Sequence, residues 1–316
     1  MDKVRYTAAR CLMRIEGDGF SNLTLKQELA GIENERDAAF CTALVYGTVS
    51  RLRTLDFVLT DLCAKPLDRL DAEIRAILRS GAYQLLYMSR VPAHAAVSES
   101  VALAYAFKKR SAAGLVNAIL RAVPRFDFGR LDRIADPVRR LAVRWSSSDD
   151  VARLLIDQYG ELRAGQMLEA TLEPQHRYIR VNSLAGDPDE TLRLLCDGGF
   201  RLEPTFVPGV WRQTDGLPIQ KSPLFADGRV AIVGLWSAAA AHALSPQPGD
   251  KTIDCCAAPG GKSFAAAIAM EDRGEVFSCD IHPHKKKLIE AGAKRLGLTC
   301  VQAGVLDARS RKPGYE

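Results

Sequence analysis

The sequence predicts three regions in order: an all-α helical bundle, a small α+β subdomain, and the opening units of an α/β, Rossmann-like fold built on a parallel sheet. Three observations predict this. Apolar residues in roughly the first 130 positions recur at helical spacing. The middle of the chain holds short apolar runs separated by Pro208-Gly209, Asp215-Gly216 and Asp227-Gly228. From Lys251 onward, strand-like runs alternate with helical stretches, the mark of βαβ units. At 316 residues the chain is also too long for one average domain.

The helical region covers 1–128. Phe40, Leu44, Val45, Val49 and Leu52 form one stripe, Val97, Val101, Ala104 and Tyr105 a second, and Leu115, Val116, Ile119, Leu120 and Val123 a third. Breakers fall at Pro66, Gly81 and Val91-Pro92. Pro124, Gly129 and Pro137 interrupt short charged stretches, placing a linker at 129–145. The α+β subdomain is expected over 146–225. It opens on the cap candidates Ser146–Asp150, with Val151, Leu154, Leu155 and Ile156 behind them and Gly160 as a stop. A strand at Tyr178–Asn182 and a helix from about Pro188 to Cys196 follow. The last region, 226–316, reads as strand Lys251–Cys256, helix Gly261–Met270, strand Glu275–Asp280, helix Pro283–Leu296, and a third strand beginning at Thr299–Gln302.

Composition excludes several classes. With 47% hydrophobic and 26% charged residues, the chain is neither disordered nor fibrous. No apolar run approaches the roughly 18 residues of a membrane span, and the N-terminus lacks a secretory pattern, so a cytoplasmic protein with no membrane partner is expected. The eight cysteines form no C-x-x-C pair and the five histidines show no ligand spacing, so no metal site is expected. Residues 1–130 hold 19 Lys+Arg against 14 Asp+Glu, and the remainder holds 24 against 24. The entire formal charge of +5 therefore resides in residues 1–130. That asymmetry fits contact with a polyanion, and equally a merely basic surface.

The strongest local signal is Asp254-Cys255-Cys256-Ala257-Ala258-Pro259-Gly260-Gly261-Lys262. In an open parallel sheet, ligands bind beyond the carboxyl ends of the strands, and small residues there let backbone approach a ligand closely. Amides at the following helix N-terminus favour negative charge. Asp280 ends the second strand, where an acid can accept from ribose hydroxyls, and Asp307 follows the third. A nucleotide P-loop would need a glycine where Cys256 stands, and a dinucleotide fingerprint needs more than two adjacent glycines. An adenosyl cofactor needs only a close-approach turn and a ribose acid, which fits best. A glycine turn that simply packs a helix on a sheet does not explain the spaced acids together with Lys262.

Cys256–Lys262, Asp280 and Asp307-Ala308-Arg309 together resemble the bacterial 16S rRNA cytosine-5 methyltransferases. Tyr178–Asn182 is similar to the R-V-N segment of that family's RNA-contacting subdomain. Ser21-Asn22-Leu23, Leu44–Thr48, Gly81–Gln84, Val91–Val97 and Val116–Arg121 resemble the NusB-like RNA-binding helical domain that the family carries in front. The resemblance implies S-adenosyl-L-methionine as cofactor, with Cys256, Ala257, Ala258, Pro259, Gly260, Gly261 and Lys262 in its loop, Asp280 on the ribose and Asp307 at the adenine amine. It implies 16S ribosomal RNA as substrate and partner. It also implies a cysteine thiolate that adds to C6 of the target base, in Pro-Cys and Thr-Cys motifs on the fourth and fifth strands. The chain does not reach those strands, so no catalytic residue is assigned within it. The nucleophile is expected beyond Glu316 in a longer protein, and no methyl transfer is expected of 1–316 alone. Cys279 and Cys300, and likewise Cys11, Cys41, Cys63 and Cys196, are expected to be buried small apolar residues. Val233-Gly234-Leu235-Trp236-Ser237 departs from the family's usual Gln-Asp-Glu. The alternative is an RNA-binding, NusB-like module without catalysis.

Overall fold

A computed structural model describes residues 2–17, 21–173 and 176–309. Residues 310–316, the end of the expected third region, lie outside them, as do the side chains of Ser21, Asn22 and Leu23. The chain divides into two compact units, Met1–Glu173 and Pro174–Glu316.

The first unit is helical: α1 (Lys3–Glu16), α2 (Ser21–Leu29), α3 (Glu35–Ser50), α4 (Leu52–Leu62), α5 (Ala72–Tyr87), α6 (Ala93–Ala106), α7 (Ala113–Ala122), α8 (Pro137–Arg144) and α9 (Asp149–Ala170). Side-chain caps begin several of them. Asp2 accepts from the Val4 and Arg5 amides, and Asn34 from those of Arg36 and Asp37, using donors that a helix start leaves unpaired. The predicted stripes supply the core through Leu44, Val45, Val97, Ala104, Val116, Ile119, Leu120 and Val123, while Tyr105 points outward at 52% exposure.

Three features differ from the sequence pattern. Gly81 breaks nothing and lies inside α5, because a Cβ there would stand 2.7 Å from the Leu120 Cδ1 and 2.9 Å from the Ser100 Oγ. It is the contact that lets α6 and α7 approach α5. The stretch 129–145 is largely helical: Pro137 sits at N1 of α8, where its missing N–H costs nothing. The segment 149–170 packs against α8 through Leu141, Ala142, Ala152, Ala164 and Leu168, and so falls in the first unit. Gly160 does interrupt it, with φ 76° and ψ 161°.

The second unit contains two sheets. The first is antiparallel, in the order β2-β3-β1-β4, from β1 (Arg177–Val181), β2 (Arg201–Pro204), β3 (Val210–Asp215) and β4 (Val230–Val233). Helix α10 (Pro188–Asp197), capped by Asp187, packs on one face through Leu195 beside Ile179 and Phe200. The short α11 (Pro223–Ala226) precedes β4. Sequence pattern ends this subdomain at 225. The sheet nevertheless takes its fourth strand from Val230–Val233, whose Val230, Ala231 and Val233 are buried against β1. Helix α12 (Leu235–Leu244) follows.

The second sheet is parallel, in the order β5-β6-β7, from β5 (Lys251–Asp254), β6 (Glu275–Asp280) and β7 (Val301–Val305). The crossovers are α13 (Gly261–Ala269) and α14 (Pro283–Leu296), whose Phe264, Ala267, Ile268, Ile289, Ala293 and Leu296 form one apolar cluster with Val276.

Asp272, in the turn after α13, fixes the start of β7. It accepts from the Thr299 amide at 2.9 Å, the Thr299 hydroxyl at 2.7 Å and the Cys300 amide at 2.9 Å. Burial pushes its carboxyl up, but these donors outweigh burial and hold it below the ordinary value. A depressed folded pKa means stability present above the unfolded carboxylate pKa and lost as pH falls through the folded one. Asp272→Ala is expected to cost about 1–3 kcal/mol near neutrality. The difference from the parent should shrink on acidification, as read by denaturant melts across pH.

Candidate cofactor site

The site is the carboxyl edge of the parallel sheet. Register places Asp254 opposite Ser278, and Asp280 opposite Val305, so β6 and β7 end together and β5 ends two residues before them. Two backbone bonds tie those ends. The Ala257 amide donates to the Cys279 carbonyl at 2.9 Å, and the Leu306 amide to the Asp280 carbonyl at 3.2 Å. The turn, Asp280 and Asp307 are thereby brought to one edge, as the spacing predicts.

The turn is built tightly. The Gly260 amide donates to the Ala257 carbonyl at 2.7 Å, and the Ala258–Pro259 peptide is cis. Gly260 holds φ 113°, a region that side chains disfavour, and a Cβ there would lie 2.1 Å from the Phe264 ring. Gly261, the first residue of α13, has no neighbouring atom within 4 Å of its would-be Cβ. One glycine is required by the fold, and the other opens onto space at a helix N-terminus.

Asp254 opens the motif in the sequence without a role of its own, and in the structure it organises the turn. Its carboxylate accepts from the Cys256 amide at 3.2 Å and from the Ser263 hydroxyl at 3.0 Å, locking β5 to α13. The signal for it was present: an Asp two residues before a turn amide can form an Asx turn. A cavity of about 460 Å³ adjoins this corner, lined among others by Ala240, Leu244, Ile253, Cys256 and Lys262. It lies along β5 and α12, and neither Asp280 nor Asp307 lines it.

Asp280 is 6% exposed. Burial would raise its pKa, but the His282 amide, Lys285 at 3.3 Å and the Ala258 amide hold it below the usual carboxylate value. Four lone-pair sites on a carboxylate leave it acceptor capacity for hydroxyl donors. Asp307 is gripped by Arg309, whose Nε and Nη2 lie 2.9 and 2.8 Å from its two oxygens and whose amide adds a third bond. That grip lowers its pKa to about 2.

The remaining candidates divide clearly. Asn182 is completely buried, donating to the Gly228 and Leu296 carbonyls at 3.0 Å each, so it joins the two sheets. Arg180 is enclosed beside α12, with Nε and Nη1 lacking partners, and burial lowers its pKa. Among the cysteines, Cys11, Cys41, Cys279 and Cys300 are buried as expected, Cys63 is half-buried, and Cys196 is exposed on the outer face of α10. Thr299-Cys300 is a Thr-Cys pair by sequence, but burial pushes that thiol up to about 12, which makes it a poor nucleophile. Among the described residues, no helix is long and apolar enough to cross a membrane, and no group of three or more His, Cys, Asp or Glu could hold a metal ion.

A parallel sheet with a glycine turn at its first strand-to-helix junction and a carboxylate at each of the next two strand ends is an α/β domain of the methyltransferase class, which in this chain follows a helical unit in sequence. Comparison with known proteins agrees. Residues 2–125 match the NusB family, and residues 241–314 match the 16S rRNA methyltransferase RsmB/F family. The probable ribosomal RNA small subunit methyltransferase B of Bacillus subtilis is 33% identical over 320 residues, covering 99% of this chain and 70% of that protein. Its counterpart in Synechocystis is 30% identical over 289 residues, covering 89% of this chain and 64% of that protein. The crystal structure of PH0851 shares the fold, with TM-score 0.71 at 18% identity, over 98% of this chain and 70% of that one. The chain belongs to the ribosomal RNA small subunit methyltransferase B family, whose members are 16S rRNA methyltransferases.

Proposed function

We propose that this chain binds S-adenosylmethionine at the carboxyl edge of its parallel sheet and serves methylation of C5 of a cytosine in 16S rRNA. The observation that carries the cofactor is the pairing of the open Gly261 amide edge with the buried, charged Asp280, tied together through Ala257 and Cys279. In this reading Cys256–Lys262 surround the methionine end, Asp280 accepts from the ribose hydroxyls, and Asp307 faces the adenine amine. The cofactor supplies an electrophilic methyl group on sulfonium. Asp307 is pre-oriented by Arg309, and Asp280 by the His282 amide and Lys285. The RNA and the modified position come from the family, and the NusB-like unit supplies the RNA-binding part. The chain spans 64–70% of the two relatives described above, and none of its described cysteines is assigned as the nucleophile.

A thermal-shift titration tests the cofactor directly. Ligand bound only by the folded state stabilises it by about 2.7 kcal/mol at a hundred times Kd. S-adenosylmethionine is expected to raise Tm in a saturable way in the parent, and Asp280→Ala to abolish the shift. No shift in the parent at millimolar cofactor would rule out the site.

A further inference from the structure

Phe206 and Trp236 stand 64% and 77% exposed, with ring centroids 5.6 Å apart and planes tilted by 48°. Phe206 belongs to the turn between β2 and β3, and Trp236 to the first turn of α12. Each is held by a buried or packed neighbour in sequence. Val207, 1% exposed, and Leu235 both join the apolar cluster of Val210, Val233 and Ala238. The backbone on both sides is therefore anchored while the two rings project. Single exposed apolar residues are ordinary, but two adjacent large aromatics held outward by a fixed scaffold are not.

The surroundings describe the partner. Tyr178 packs on the same cluster and lies cross-strand from Val233 on one side and Arg212 on the other. His176 meets Tyr178 edge-on at 6.3 Å. Beyond Tyr178 the row continues as Arg212 and Glu203, an exposed ion pair. The apolar area is thus confined to a few rings bordered by charge. A stable protein interface needs about 800 Å² per partner around an apolar centre. A nucleobase needs only a ring face. Enzymes that modify a base meet it outside the helical stack, and unstacked bases are held on aromatic side chains.

We propose that Phe206 and Trp236 form a stacking platform for an unpaired base of the RNA. The RNA itself rests on the methyltransferase reading above, whereas the platform rests on the geometry of these two rings. Trp236 lies in the segment Val233–Ser237, where this sequence departs from the family's usual Gln-Asp-Glu.

The test compares the parent with Trp236→Ala, Phe206→Ala, the double variant and Trp236→Phe, measuring anisotropy of a labelled single-stranded 16S rRNA fragment. The double variant is expected to bind about 5- to 150-fold more weakly, the range for losing stacked bases. Trp236→Phe should keep most of the affinity. The salt slope should not change, because no phosphate contact is removed. The cofactor-induced Tm shift should persist in every variant. Tryptophan emission should be quenched by RNA in the parent and not in Trp236→Phe, which retains Trp145 and Trp211. Parental affinity in the double variant, or quenching that survives in Trp236→Phe, overturns the platform and leaves the methyltransferase reading standing. Lost self-association with unchanged RNA affinity overturns it in favour of a protein contact. A parent that binds no RNA removes the RNA reading and the platform together.

Discussion

Gly260→Ala is expected to eliminate S-adenosylmethionine binding and to destabilise the second unit, whereas Gly261→Ala next to it should weaken the cofactor without harming the fold. The two positions differ in what a methyl group would meet. At Gly260 the backbone lies at φ 113°, and the new Cβ would fall 2.1 Å from the Phe264 ring. That ring cannot retreat easily, because it is 9% exposed and its other side is packed on Gly292, where a Cβ would stand 2.6 Å away. Left-handed strain of about 1–2 kcal/mol adds to an overpacking cost of about 1–3 kcal/mol. Alanine at 260 must therefore unseat the turn, the helix behind it, or both. At Gly261 the space is open and the residue begins α13, where alanine gains about 0.5–1 kcal/mol over glycine. Its Tm should equal or exceed the parent's while cofactor affinity falls about tenfold or more. Calorimetric titration of both variants, with melts alongside, separates the effects. Parental affinity in Gly261→Ala would show that the open space is not where the cofactor lies.

The sequence made some of this legible and hid the rest for physical reasons. Strand β6 and helix α14 coincide with their predicted spans, because Gly, Pro and Asp punctuate them and their apolar periods are unambiguous. Chemistry concentrated in nine consecutive residues marked the turn Asp254–Lys262 as well, and the fold places it at the carboxyl edge of the parallel sheet. Tertiary context was not readable. Gly81 and Pro137 have breaker chemistry, yet one sits mid-helix for close packing and the other begins a helix. Val230–Val233 is apolar enough for either sheet, and only pairing with Tyr178–Val181 decides the matter. Arg180 and Asn182 look like exposed recognition residues because polar side chains usually are exposed. Here Asn182 is fully buried and Arg180 half-buried, and the exposed residue of the strand is Arg177.

Asn182→Ala is expected to be the most destabilising single polar substitution in the second unit. Its side chain is completely buried and spends three hydrogen bonds on backbone that has no substitute partner. Nδ2 donates to Gly228 and Leu296, and Oδ1 accepts from the Leu184 amide at 3.1 Å. Leu296 ends α14, so this amide fastens the antiparallel sheet to the parallel one at a crowded seam. A Cβ on Gly228 would stand 2.1 Å from the Arg295 carbonyl, and the Arg295 guanidinium donates to Phe225 and Val230. Water has little room to replace the lost groups. Alanine leaves two carbonyls and one amide unsatisfied, for a cost of about 2–4 kcal/mol, or a Tm lower by about 5–12 °C. Aspartate should be worse, since it turns a donor into an anion facing two carbonyl oxygens. A scaffold role also predicts what will not change: below its melting transition, Asn182→Ala should bind RNA as the parent does. Lost RNA affinity at unchanged Tm would instead make Asn182 a recognition residue, against the buried geometry seen here.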